Sequence, residues 1–141
     1  MARNVFPDIE IPTRHAPFGG ATGAWDFDVL GVDWSAAAFV LAVAPNEGDL
    51  ATFTLINAAA GAQGVSATYD ATKVDPITGQ VVGGTTIRPQ VDETTLEAIS
   101  WGSISTALPI SLFWECLATP TGQPQRHVCT GTLKLYRGVA D

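Results

Sequence analysis

Positive charge is scarce: seven Lys and Arg stand against fourteen Asp and Glu, giving a net charge of −7 over 141 residues. A protein that neutralises nucleic-acid phosphates needs clustered cations, so no nucleic-acid partner is expected. Long apolar runs are missing too, and no stretch is suited to cross a bilayer as a helix. The opening MARNVFPDIE is broken by Pro7, Asp8 and Glu10, which predicts a soluble chain made without a signal peptide and with no membrane partner. Cysteine and histidine number two each; so small a cysteine count leaves both reduced and paired states open. Also absent are G-x-S-x-G, the P-loop, G-x-G-x-x-G, H-E-x-x-H and an EF-hand loop, so the sequence points to no enzyme class, cofactor or metal.

What is present is apolar and rich in turns. Apolar residues make up 46% of the chain, with fourteen Gly and nine Pro, which favours one packed core and many short connections over a helical bundle. Residues 1–24 carry Pro7, Pro12 and Pro17, then Gly19, Gly20 and Gly23, with no sustained period, and read as an extended N-terminal arm. Val5, Phe6, Ile9, Ile11 and Phe18 make that arm too apolar for a solvated tail; it rests on its own domain or on a neighbour. His15, isolated in the arm, reads as a surface or interface residue.

From Trp25 the period becomes two, with Trp25, Phe27 and Val29 on one face and Asp26 and Asp28 on the other. The two aspartates read as a solvated strand face, with a calcium pair as the alternative. FVLAVA (39–44) and TFTLI (52–56), joined by PNEGDLA, predict a hairpin, and 65–69 a further strand. DATKVDPITGQVVGG is either a long loop or an irregular hairpin. DETTLEAI (92–99) predicts the one short helix, capped by Asp92.

The stretch WECLATPTGQPQRHVC, Trp114 to Cys129, holds both cysteines, His127 and Glu115. Placing a tight turn at Gly122 and Gln123, with Gly first as a type II′ turn prefers, pairs Ile110 with Leu135, Leu112 with Leu133, Trp114 with Gly131 and Cys116 with Cys129. The apolar faces of the two strands then coincide, and the Trp114 indole covers a residue with no side chain. This register also sets Cys116, Cys129 and His127 on one face, with Glu115 pointing away. Three ligands fall short of a structural zinc set, and no orienting third group or helix N-terminus accompanies a Cys–His nucleophile; the readings are metal, cross-strand disulfide or buried free thiols, the last favoured. The sum is an all-β protein: an antiparallel β-sandwich over residues 25–141 with an extended N-terminal arm over residues 1–24 and at most one short helix.

WDFDVLGVDWSAAAFVLAVAPNEGD, TTIRPQVDETTLEAI and PISLFWECLATPTGQPQRHVCTGTLKLYRGV follow one another in an order that resembles a phage structural module. It is similar to the small N-terminal β-sandwich of siphophage upper-baseplate and tail-fibre-attachment (minor tail) proteins, in which "D-x-x-x-x-G-x-D-W" and "G-T-L-x-L-x-x-G-V" recur. The likeness covers residues 25–139. Such proteins commonly continue into a coiled coil, fibre or receptor-binding domain where this sequence stops at Asp141, so the resemblance implies an adaptor. It implies a non-enzymatic virion component of the tail, assembled in the host cytoplasm, that binds other tail or baseplate proteins in symmetric copies. The docking residues expected are Val5, Phe6, Ile9, Ile11 and Phe18, and no small-molecule ligand is expected. The alternatives are a capsid decoration or head–tail joining protein, and a small carbohydrate-binding module using Trp25, Trp34, Trp101 or Trp114.

Overall fold

Wherever apolar and polar side chains alternate in this sequence, the chain extends and pairs. The computed structural model describes residues 6–20, 23–99, 109–136 and 138. Among these are nine strands, β1 (Ile9–Ile11), β2 (Phe18–Gly19), β3 (Phe27–Leu30), β4 (Ala38–Ala44), β5 (Phe53–Ile56), β6 (Gly64–Asp70), β7 (Gly84–Val91), β8 (Ile110–Thr119) and β9 (Arg126–Leu135), and one helix, α1 (Glu93–Glu97). Five strands form one sheet in the order β1-β9-β8-β4-β5. In the second sheet β7 is the hub, with β6 along one side and β3 and β2 sharing the other. The fold is the expected all-β sandwich with one short helix. Its strand ladders are antiparallel except that β1 runs parallel to β9.

The core joins the sheets through aromatic rings. Trp114 of β8 meets Trp25 edge-to-face at 5.6 Å, and Phe27 of β3 packs on the same indole at 5.9 Å. Both tryptophans are fully buried. The expected pairing of Trp114 with Gly131 is present. A Cβ added at Gly131 would lie 2.5 Å from the Trp114 indole nitrogen, so the absence of a side chain there is what admits the ring.

Of the two placements open to the N-terminal segment, its own domain or a neighbour, the structure has the first. Ile9 and Ile11 are buried on either side of the exposed Glu10, in strand alternation, and β1 lies on β9 with Ile9 opposite Leu133 and Ile11 opposite Leu135. The Phe6 N–H donates to the Thr130 carbonyl at 2.6 Å, and the Tyr136 N–H to the Ile11 carbonyl at 2.9 Å. Phe18, also buried, pairs with Val91 through β2. His15 ties the segment to the helix, its Nδ1 2.7 Å from Glu97 Oε2. This corrects the boundary at residue 24 and the assignment of Ile9, Ile11 and Phe18 to docking: a strand edge left open on β9 is covered by the chain's own apolar segment. Phe6 is half-buried against Trp114 and Phe27, at 5.8 and 6.0 Å. Val5, the fifth expected docking residue, lies outside the described residues.

The β8–β9 hairpin has the expected register from Ile110–Leu135 to Cys116–Cys129, but not the expected turn. Gln123 N–H bonds to the Pro120 carbonyl at 3.0 Å, which makes Gly122 the third residue of the turn, with φ of 73°. The type II′ assignment is therefore corrected. Beyond the cysteines the pairing slips, Leu117 facing His127, so that Val128 is an extra residue in a bulge. Bulge and turn compensate each other, and the buried part of the ladder keeps its register. Residues 71–83 form the irregular hairpin alternative: Val74 bridges Val81 above the β6–β7 ladder.

Candidate interaction surface

Two strand edges face each other along one side of the sandwich. Among the described residues β3 pairs with β7, and the N-terminal segment lies along β9 through the β1 ladder at Leu133–Leu135 and the Phe6–Thr130 hydrogen bond. Between these edges opens a cleft of about 660 Å³, walled by Phe6, Phe27, Val29, Trp34 and Val128, with Asp26, Asp28 and His127 as its polar groups. The alternation of β3 explains this lining. Phe27 and Val29 are half-buried, facing the core, while Asp28 and Leu30 are exposed.

The carboxylates are held as ion pairs. Asp26 Oδ2 lies 2.9 Å from Arg88 Nε, and Asp28 accepts from Thr86 Oγ1 at 2.6 Å and stands 3.4 Å from Lys73 Nζ. Burial pushes the Asp26 carboxyl above the usual carboxylate range, the Arg88 charge opposes this, and the Asp28 charge adds to it. Asp28 fits the solvated face read from the sequence, whereas the Asp26 side chain is only 20% exposed.

The bulge at Val128 moves His127 off the cysteine face. Its Nε2 lies 3.8 Å from Glu115 Oε2, the residue expected to point away from it. Cys116 and Cys129 are buried free thiols directly opposite each other. Burial raises Cys129 to about 12, and raises Cys116 further, with the neighbouring Cys129 and Glu115 adding to the effect. A thiolate is the form that attacks or binds metal, and neither residue supplies one near neutral pH. Among the described residues no three His, Cys, Asp or Glu side chains converge.

The second feature is a spur, the extension of the β6–β7 hairpin between Asp70 and Gly83. Its backbone is closed by hydrogen bonds: Val82 and Gly83 N–H donate to the Lys73 carbonyl at 3.0 and 3.1 Å, Asp75 N–H to the Gln80 carbonyl at 2.9 Å, and Gly79 N–H to the Asp75 carbonyl at 2.8 Å. The Asp75 carboxylate accepts from the Ile77 N–H at 2.8 Å. On this polar frame the apolar side chains face outward. Ile77 is 92% exposed, Val81 65% and Val74 49%. Loops are ordinarily polar on the outside, whereas here Val74 and Val81, opposite each other in the bridge, and Ile77 beyond them leave apolar surface open to solvent.

Of the tryptophans considered for sugar stacking, Trp25 and Trp114 are buried, Trp101 lies outside the described residues, and Trp34 lines the cleft. The cleft was not readable from sequence, because β3 and β9 meet only through the sandwich. The spur had a local signal, Ile77, Val81 and Val82 among turn residues, without an indication that they point outward. No family model matches the chain, and comparison with curated proteins and solved structures gives no match.

Proposed function

We propose that the chain is a non-enzymatic structural component of a bacteriophage virion, an adaptor at the tail tip or baseplate that docks on neighbouring tail proteins. The observation that carries the reading is the spur: a folded sandwich that holds Val74, Ile77 and Val81 in solvent on a hydrogen-bonded frame has a surface suited to a partner. The resemblance of the Trp25–Trp34 and Gly131–Val139 stretches to minor tail proteins supplies the setting. Docking through the N-terminal apolar residues is replaced in this reading by docking through the spur and cleft. Mass spectrometry of virions whose genome encodes the chain, with immunogold labelling, tests it. Label at the tail tip is expected; label on the capsid would favour the decoration or joining reading, and absence from virions would overturn both.

A second reading has its own observation. Trp34 stands in the cleft beside Asp26, Asp28 and His127, an aromatic platform with polar groups of the kind that binds sugars. Quenching or shift of Trp34 fluorescence by oligosaccharides, lost in Trp34→Phe, would establish it. An unchanged spectrum across a glycan panel would remove it.

A further inference from the structure

We infer that Cys116 and Cys129 form a closable dithiol: Cys129, at the cleft, meets a small-molecule disulfide, and Cys116 behind it completes an intramolecular bond. The register sets the two residues directly opposite each other on β8 and β9, and both are free thiols buried in the core. Residues so paired have Cα atoms about 4.5–5.5 Å apart, inside the ~4.4–6.8 Å span over which a disulfide closes. Closure therefore requires side-chain rotation and no change of register. The regular ladder is interrupted right beside the pair, where Val128 is the extra residue of the bulge, and it is here that β9 brings Cys129 to the cleft wall.

The two thiols differ in access. Cys129 lines the cleft and is 6% exposed, whereas Cys116 is fully buried. Access sets the order of the chemistry. The Cys129 thiol gives up its proton, and its Sγ attacks one sulfur of the small disulfide RSSR, forming a mixed disulfide and releasing RS⁻, which is protonated to RSH. Cys116 then gives up its own proton and attacks the Cys129 Sγ, breaking the mixed bond and expelling the second RS⁻. The dithiol is oxidised by two electrons to one protein disulfide, and RSSR is reduced by two electrons to two RSH. Burial holds both thiols above the ordinary range, Cys129 at about 12. Around the pair stand Glu115 beside Cys116 and, in the cleft, His127 with Asp26 and Asp28, which are held by Arg88 and Lys73. The attacking species is the thiolate, so exchange is slow near neutral pH and speeds up in alkali. In a reducing compartment the pair stays open, and in oxidising surroundings it closes, whatever partner the chain serves.

The test holds the full chain, first reduced, with oxidised glutathione under folding conditions. Intact mass after acid quenching should show the loss of two hydrogen atoms, peptide mapping should join Cys116 to Cys129, and dithiothreitol should restore the starting mass. The closed chain should melt at a higher temperature than the reduced one, because the cross-link restricts the unfolded state. The closing rate should keep rising by about ten-fold per pH unit beyond pH ~9, where an exposed thiol with a pKa of about 8.5 levels off. Cys116→Ala should stop at a glutathione adduct on Cys129, and Cys129→Ala should leave Cys116 unmodified while the chain is folded. The wild-type mass and map decide the inference even where an alanine variant fails to fold. Two free thiols, after a time that fully oxidises the urea-unfolded chain, overturn it. So does closure that abolishes the cooperative melt, or a bond between chains in place of the intramolecular one. Equal reactivity of Cys116 in Cys129→Ala and Cys129 in Cys116→Ala would also overturn it, since the cleft would then not set the order.

Discussion

From Ile110 to Leu135 the β8–β9 hairpin turns Ile110, Leu112, Trp114, Cys116, Cys129, Leu133 and Leu135 into the core. The β6–β7 hairpin does the same only at its base, with Val65, Ile87 and Val91 buried, and between Val74 and Val82 it turns the same residue types outward. Both are hairpins of similar composition. What separates them is whether a second layer lies opposite: Trp25 and Phe27 stand across from Trp114, whereas the spur extends past the sheet that would have covered it. Apolar pattern therefore specifies pairing in both, and only packing separates residues that hold the fold from residues left in water.

The comparison breaks most visibly at the N-terminus. Deleting residues 1–20 removes Ile9, Ile11 and Phe18 from the core and uncovers β9, a loss of roughly 2–5 kcal/mol per large side chain. Set against a typical total of about 5–15 kcal/mol, this should abolish cooperative melting. A truncated chain that melts like wild type would mean the segment does not belong to the core.

Trp114→Ala should cost about 3–5 kcal/mol in urea unfolding. Gly131→Ala should cost about 1–3 kcal/mol by forcing the indole aside. The two are coupled, so the double variant should be less destabilised than their sum. Strict additivity would contradict the close approach of ring and backbone. The two thiols predict an intermediate, pH-dependent effect. Because their folded pKa values lie above the unfolded value of about 8.5, folding is favoured below that pH and loses up to roughly 1.4 kcal/mol per pH unit per thiol above it. Cys116→Ala/Cys129→Ala should flatten that alkaline slope; an unchanged slope would assign it to other groups.

Much of this architecture was legible in local pattern. Strict alternation through PISLFWECLA and CTGTLKL specified which residues face each other, and the register held although the turn was misplaced, because a slip would have put Leu112 and Leu133 in water. β7 has no clear strand signal in the sequence, since Pro89 is a residue that argues against a central strand. The structure accommodates it between Ile87, the last β7 residue paired with β3, and Gln90, the first paired with β2. For Phe6, Ile9, Ile11 and Phe18 the sequence indicated apolar contact without indicating with what. His127 needed the Val128 bulge, an irregularity with no local signature, to leave the cysteine face.

The smallest stability effect belongs to the spur, and it tests the proposal made above that this hairpin extension docks on partners in a virion and does not hold the fold. Ile77→Asp with Val81→Asp changes two exposed positions and should shift stability by no more than about 0.5 kcal/mol per site. The direct measurement is incorporation of this double variant into virions, read by mass spectrometry beside its melting curve. The account predicts a wild-type melting temperature with incorporation lost; wild-type incorporation, or a collapsed melting temperature, would contradict it.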